Sequence, residues 1–245
     1  MNIINSYRYS QAEDNSLKME FTTTVANTTV YLPIRSSDGS GRLVFDDGTS
    51  DVIGNADEAT HTFTTAGTYV IKYYGTATSI AWGSASSAQK QFLTKILDWG
   101  ITGATIARFT NCSSLISVAS NLESTTTNLY RCFAYQSGNP DVTTLDTSNV
   151  TNMNQMFRNA TSADPDMSSW DFSSATSYSS FLQNSGISTT NYDGFLVRLD
   201  AQRTTHSLTG RAIGDIPSTY TTATGRAPRT SLLANGWTLT DDGSV

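Results

Sequence analysis

Few residues in this chain are equipped for chemistry, and their spacing limits what they could do. There are two histidines and two cysteines among 245 residues. His61, Cys112, Cys132 and His206 all stand more than five positions apart, whereas zinc sites built from His and Cys draw on closely spaced ligands. The expectation is that no metal site forms. Asp46, Asp47 and Asp51 gather carboxylates around Gly48. They lack the alternating D-x-[DN]-x-[DN]-G order of a calcium loop and read as an acidic turn between strands. Asp164-Pro165-Asp166 is the tempting acid pair. At i and i+2 around a proline, two acids more simply solvate a loop. Carboxylate pairs for glycoside cleavage can come from anywhere in a fold, so that chemistry stays open. No G-x-S-x-G nucleophile turn, no G-x-x-x-x-G-K-[ST] and no G-x-G-x-x-G occurs. Catalytic, cofactor-binding and metal residues are therefore assigned to none.

The elements that would position any site are suggested by composition. The chain is 38% hydrophobic and 15% charged, with abundant Ser, Thr and Asn, which suits strands, turns and solenoids. A net charge of −6, with only four Lys among fifteen basic residues, argues against a nucleic-acid footprint, which needs clustered cations. No stretch approaches the ~20 apolar residues of a membrane span. Two cysteines make no disulfide framework. Cys112 follows Phe109 by three and Cys132 precedes Phe133 by one, so they should not stack and are expected as buried free thiols. Asn27, Asn111, Asn149 and Asn159 open glycosylation sequons, as expected in a chain this rich in Asn, Ser and Thr. The start, MNIINSYRYSQAEDNS, shows no apolar signal core and no cleavage site. Taken as a native start, it predicts folding in the cytoplasm or packaging into something assembled there.

One stretch organises the rest. Phe109, Phe133, Phe157 and Phe181 stand 24 residues apart. Leu122, Leu145 and Trp170 follow a Phe by twelve or thirteen. A fixed period of this length, with a large apolar residue per unit, marks a leucine-rich-repeat solenoid. One such coil cannot bury its Phe alone; stacked coils share a core. Asp146, Ser148, Val150, Thr151, Met153, Met156 and Phe157 match in order a unit reading W-D-V-S-x-V-T-x-M-x-x-M-F. The segment therefore resembles the repeat of BspA-like bacterial surface proteins, also called the mycoplasma lipoprotein repeat. FTNCSSLISV, ending at Val118, looks like that family's related form. The next unit, WDFSSATSYSSFL, departs from it at Ala175, Tyr178 and Ser180, as a capping repeat does. The resemblance implies a fold more firmly than a function.

Before the repeats, residues 17–83 read as six or seven short strands with turn residues between them, which suggests a sandwich. The order Phe45-Asp46-Asp47-Gly48, A-T-H-T-F and A-G-T-Y-V-I resembles immunoglobulin-like domains of the polycystic-kidney type, with F-D-D-G standing for their W-G-D-G. Such domains often precede BspA-like repeats. Phe92, Ile96 and Leu97 fall at i, i+4 and i+5, predicting a capping helix within 84–100, stopped by Gly100. Tyr192, Phe195, Leu196 and Leu199 predict a helix beyond the repeats, Ala227 to Ala234 another, and Trp237 to Thr240 a strand. The expected fold is mainly β with some α: an N-terminal immunoglobulin-like β-sandwich, then a short leucine-rich-repeat-like solenoid with terminal caps. Its parts are an arm (1–16), the sandwich (17–83), capping helix and repeats (84–186) and a C-terminal cap (187–245).

The functional expectation is a non-enzymatic structural or binding protein of a bacteriophage virion: a capsid decoration, fibre or tail component. The alternative is a bacterial cell-surface adhesin without its leader, and the minor alternative a carbohydrate-active enzyme. The arm is the expected attachment device. Ile3, Ile4, Tyr7 and Tyr9 offer apolar contacts and Arg8 a cation, suited to adding a strand to a neighbouring subunit. Partners would be other virion proteins, in an oligomeric assembly, and a host-surface glycan or protein; nucleic acid, membrane and cofactors are not expected.

Overall fold

The computed structural model describes residues 14–36, 41–53, 59–82 and 86–245. Ile3, Ile4, Tyr7, Arg8 and Tyr9 lie outside the described residues, as does most of the turn expected at Ser36 to Gly41.

The protein is mainly β. Its N-terminal part carries β1 (Leu17–Thr23), β2 (Thr28–Tyr31), β3 (Ile34–Ser36), β4 (Gly41–Phe45), β5 (Ser50–Ile53), β6 (Thr60–Phe63), β7 (Gly67–Tyr74) and β8 (Ala77–Ala81). β1 shows why. Leu17, Met19, Phe21 and Thr23 are buried while Lys18, Glu20 and Thr22 are half-buried, the period of two that puts alternate side chains on opposite faces. β1 pairs antiparallel with β7 along its whole length. β7 continues to β4, and β4 to β5. Gly41 opens β4 because a Cβ there would sit 2.3 Å from the buried Tyr73 ring. β3 and β5 were not expected from the sequence.

The helix expected at 84–100 is mostly a strand. Only Ser87–Lys90 is helical (α1), and Leu93–Asp98 forms β9 against β1. The register explains the misleading period. Met19 pairs with Ile96 and Phe21 with Leu93, and pairing skips Leu97 and Thr94 at two shifts. Each shift is a bulge that adds one residue. The inward residues Leu93 and Ile96 thus stand three apart, as on a helix; of the face read from the sequence only Ile96 is buried, Phe92 being half-buried and Leu97 exposed at the bulge.

The chain then coils upon itself. β10 (Ile106–Arg108) pairs parallel with β8, and β11 (Ser117–Val118) parallel with β9. From β10 a ladder of parallel bridges continues through Ile106–Asn128, Asn128–Asn152 and Asn152–Ser177; from β11 another continues through Ser117–Asp141. The N-terminal sheets are therefore hydrogen-bonded directly to the first coil on two sides. A single hydrophobic cluster extends from Leu17 to Leu239.

All four phenylalanines are fully buried. Phe109 stacks on Phe133 at 6.5 Å and Phe133 on Phe157 at 5.4 Å, whereas Phe181 meets Phe157 edge-on, the planes 70° apart. Cys112 and Cys132 are free and buried, and burial raises both thiol pKa values.

The C-terminal part closes the last coil. α2 (Thr189–His206) begins at Ser188, whose hydroxyl accepts the Asn191 amide. It buries Tyr192, Phe195, Leu196 and Leu199, the face the sequence indicated. β12 (Ala212–Ile216), α3 (Arg226–Ala234) and β13 (Thr238–Asp241) follow, with β12 and β13 paired in parallel. Asp241 ties these elements together: it accepts from the Tyr192 hydroxyl at 2.6 Å and from Arg229 Nε and Nη2 at 2.8 and 3.0 Å. Among the described residues no helix is long and apolar enough to cross a membrane.

Candidate binding surface

The candidate chemical residues are mostly occupied in structural bonds. Asp47 accepts the amide and hydroxyl of Thr49 and meets His61 Nε2 at 2.8 Å. The Thr49 hydroxyl first, and His61 after it, hold the Asp47 carboxyl below the usual range. His61 in turn stacks on Phe45, ring centroids 3.7 Å apart. Asp46 accepts the Val70 amide and Asp51 that of Val52. Asp46 and Asp47 thus pin the turn to β7 and β6, while Asp51 bonds only within its own strand. Asp164 Oδ1 accepts the Ser188 amide and the Asn191 side chain at the start of α2, while Asp166 accepts the Ser168 amide. Asp164 thus tethers its loop to the start of α2, and Asp166 fixes its own loop.

Sequence reasoning passed over the edge of the coils. Every coil turns through the left-handed region at fixed places. Asn111, Tyr135, Asn159 and Asn184 have φ of 64°, 59°, 56° and 53°; Arg131, Gln155 and Ser180 have 58°, 57° and 50°. Asn tolerates this conformation because its short side chain bonds locally; the recurrence of Asn at 111, 159 and 184 was the available signal. Side chains link one coil to the next along this edge. Asn184 donates to Asn159 at 2.8 Å, and Arg131 Nε to Gln155 at 2.6 Å.

Two concavities flank these rungs. The first, about 180 Å³, lies between Trp82, Lys90, Arg108, Thr110 and Arg131. Arg108 and Arg131 both hold their guanidinium carbons near the Tyr130 ring, at 5.3 and 5.1 Å from its centroid. Arg108 Nε also donates to the Tyr130 carbonyl at 3.2 Å. The guanidinium groups are therefore fixed rather than free to sweep, and three cations converge in a chain of net charge −6. The second is a cleft of about 460 Å³ between the last coil, at Thr176 to Ser180, and the β12 region, at Arg211 to Asp215. Beside it, Gln183 Nε2 donates to Asp215 Oδ2 at 3.1 Å. Residues that form it stand more than thirty positions apart, so no local motif announced it.

Residues 85–195, from just before α1 into α2, match the family described as Mycoplasma protein of unknown function, DUF285. No curated protein and no solved structure matches the chain.

Proposed function

We propose that this protein is a non-enzymatic structural and binding component of a bacteriophage virion, displaying an immunoglobulin-like sandwich and a leucine-rich-repeat-like stack of the BspA type. The observation that carries the binding part is the rigid coil edge, where Arg108 and Arg131 clamp Tyr130 and Arg131 is bonded to Gln155 of the next coil. A surface whose side chains are already ordered loses little further entropy when it meets a partner. The match over residues 85–195 supports the repeat reading. The virion placement is supported by the sequence: an arm of alternating apolar and polar residues suited to docking, joined to modules used for surface display.

A bacterial cell-surface adhesin is the second reading, favoured by the same repeat resemblance. Antibody raised against the chain separates the two. Gold labelling of purified phage particles, with the peptide found by mass spectrometry of those particles, is the expected result. Label confined to the surface of uninfected cells would overturn the virion assignment. Removal of residues 1–13, which spares Asp14 bonded to Lys72, the Asn15 carbonyl that accepts the Ile101 amide and the buried Ser16, should leave thermal stability unchanged and abolish incorporation; normal incorporation would move attachment elsewhere on the chain.

A further inference from the structure

The stack ends on an unfinished rung. In the interior coils, alternate amides donate to the carbonyls of the coil that follows. Leu129, Arg131, Phe133 and Tyr135 donate to Asn152, Asn154, Met156 and Arg158; Met153, Gln155, Phe157 and Asn159 donate to Ser177, Ser179, Phe181 and Gln183. By the same register the donors of the last coil are Tyr178, Ser180, Leu182 and Asn184. Their amides have no hydrogen-bond partner among the described residues. Tyr178 and Ser180 line the 460 Å³ cleft, with Arg211 and Asp215 on its other wall.

A second, independent feature lies beside it, with two of its three residues, Tyr178 and Arg211, lining the cleft. Tyr178 Oη, Arg211 Nη1 and Trp237 Nε1 are buried polar atoms without a hydrogen-bond partner among the described residues. Tyr178 and Trp237 are 2% and 3% exposed. The Arg211 guanidinium lies 5.8 Å from the Trp237 ring, and the Tyr178 and Trp237 rings are 6.2 Å apart. Burial raises the Tyr178 phenol pKa and nearby Arg211 counteracts it, yet no hydrogen bond of normal geometry joins the two. Asp171 also faces the phenol and is held by the Ser173 amide. Buried polar groups are almost always paired, so three orphans together require an explanation such as a bound ligand. All three can donate, and a guanidinium fork matches a carboxylate.

The other lining groups narrow the class. Ser179 and Ser180 bring hydroxyls, Ser177 Oγ already donates to Asn154 Oδ1 at 2.7 Å and can only accept, and Asp215 accepts from Gln183 through Oδ2, leaving Oδ1 to take a hydroxyl proton. One cation beside one acid favours a singly charged ligand with hydroxyl groups over a multiply charged phosphate. The volume lies within the usual range for small-molecule sites. We propose that this cleft binds a carboxylate-bearing sugar, its carboxylate against Arg211 and Tyr178 and its hydroxyls against the serines and Asp215. The proposal rests on the binding-protein reading above and names the ligand class for it.

The test is titration of the full chain with glucuronate, galacturonate and N-acetylneuraminate, beside glucose, acetate and inorganic phosphate, followed by calorimetry and amide NMR. At least one acidic sugar should bind, shifting the amides of Ser177 to Ser180 and of 211 to 215. Glucose and acetate should bind at least about tenfold more weakly, since each lacks half of the recognised groups. Arg211→Gln should weaken the acidic sugar by about tenfold or more, as expected for loss of a charge-assisted bond. Should that variant not fold, the shift map on the unaltered protein decides. No binding by any of the three, shifts confined to another region, or equal binding of acetate or phosphate would each overturn the proposal. Particle labelling is read separately, so failure here leaves the virion assignment standing and the reverse holds as well.

Discussion

Phe181 does not occupy the place in its coil that Phe157 occupies in the one before; Leu182 does. The bridge from Asn128 to Asn152 spans 24 residues and that from Asn152 to Ser177 spans 25. Correspondingly, Phe157 donates its amide to the Phe181 carbonyl, in the pattern where Phe133 donates to Met156. Phe181 is thus the counterpart of Met156, and the extra residue turns its ring edge-on to Phe157.

This register bears on stability. Phe157→Ala should cost about 3–5 kcal/mol, the usual range for emptying a buried aromatic site. Phe181→Ala should cost as much, although it lies nearer the end of the stack. Its ring is fully buried and touches Phe157, Tyr178 and Phe195. Urea denaturation of the two variants provides the check; a loss under about 1 kcal/mol for Phe157→Ala would remove the column from the core.

The hydrogen-bonded joint between β8 and β10, and between β9 and β11, predicts cooperative unfolding. Trp82 and Trp99 report on that joint, Trp170 and Trp237 on the other end of the chain. Single-tryptophan variants should show coincident transitions, matching far-ultraviolet circular dichroism. Two separated transitions would mean that sheets and coils unfold independently.

Asp98 should link stability to acid. It accepts from Lys18 Nζ at 2.8 Å, the Gly100 amide at 3.0 Å and Asn121 at 2.8 Å. Burial works to raise its pKa, but these bonds outweigh it and the pKa falls below 3.8. The sign follows: a depressed folded-state pKa gives stability that is present above about 3.8 and fades as pH falls through the folded value. Asp98→Asn should cost about 1.5–3 kcal/mol at neutral pH, the range for hydrogen bonds to a charged group. Its stability should also depend less steeply on pH below about 4. A pH series of melting curves that falls in parallel for both proteins would contradict this.

Much of the fold could be read in advance, where one period governs one element. Strict alternation located β1, and the spacing of Tyr192, Phe195, Leu196 and Leu199 located α2. Reading failed where the period was broken. Two bulges made β9 look helical. β12, with Gly214 and Asp215 in five residues, carries too little apolar signal for a strand; it is recognisable only beside β13. The 24-residue spacing of Phe181 concealed a coil one residue longer. The cleft escaped notice for a different reason: Tyr178, Arg211 and Trp237 come from separate elements and are unremarkable singly.

The parallel ladder also acts as a ruler. Neighbouring strands pair about 4.8 Å apart, and the donors of one interior coil, Leu129 to Tyr135, recur in the next as Met153 to Asn159. Loss or duplication of one genetic unit of 24 residues would therefore leave both ends of the stack chemically unchanged. The distance between the N-terminal sheets and the C-terminal closure would change in whole rungs. Recombination within such a gene can alter reach without designing a new joint, and the coil containing Asn128 to Thr151, bridged on both sides, is the one whose removal brings matching edges together.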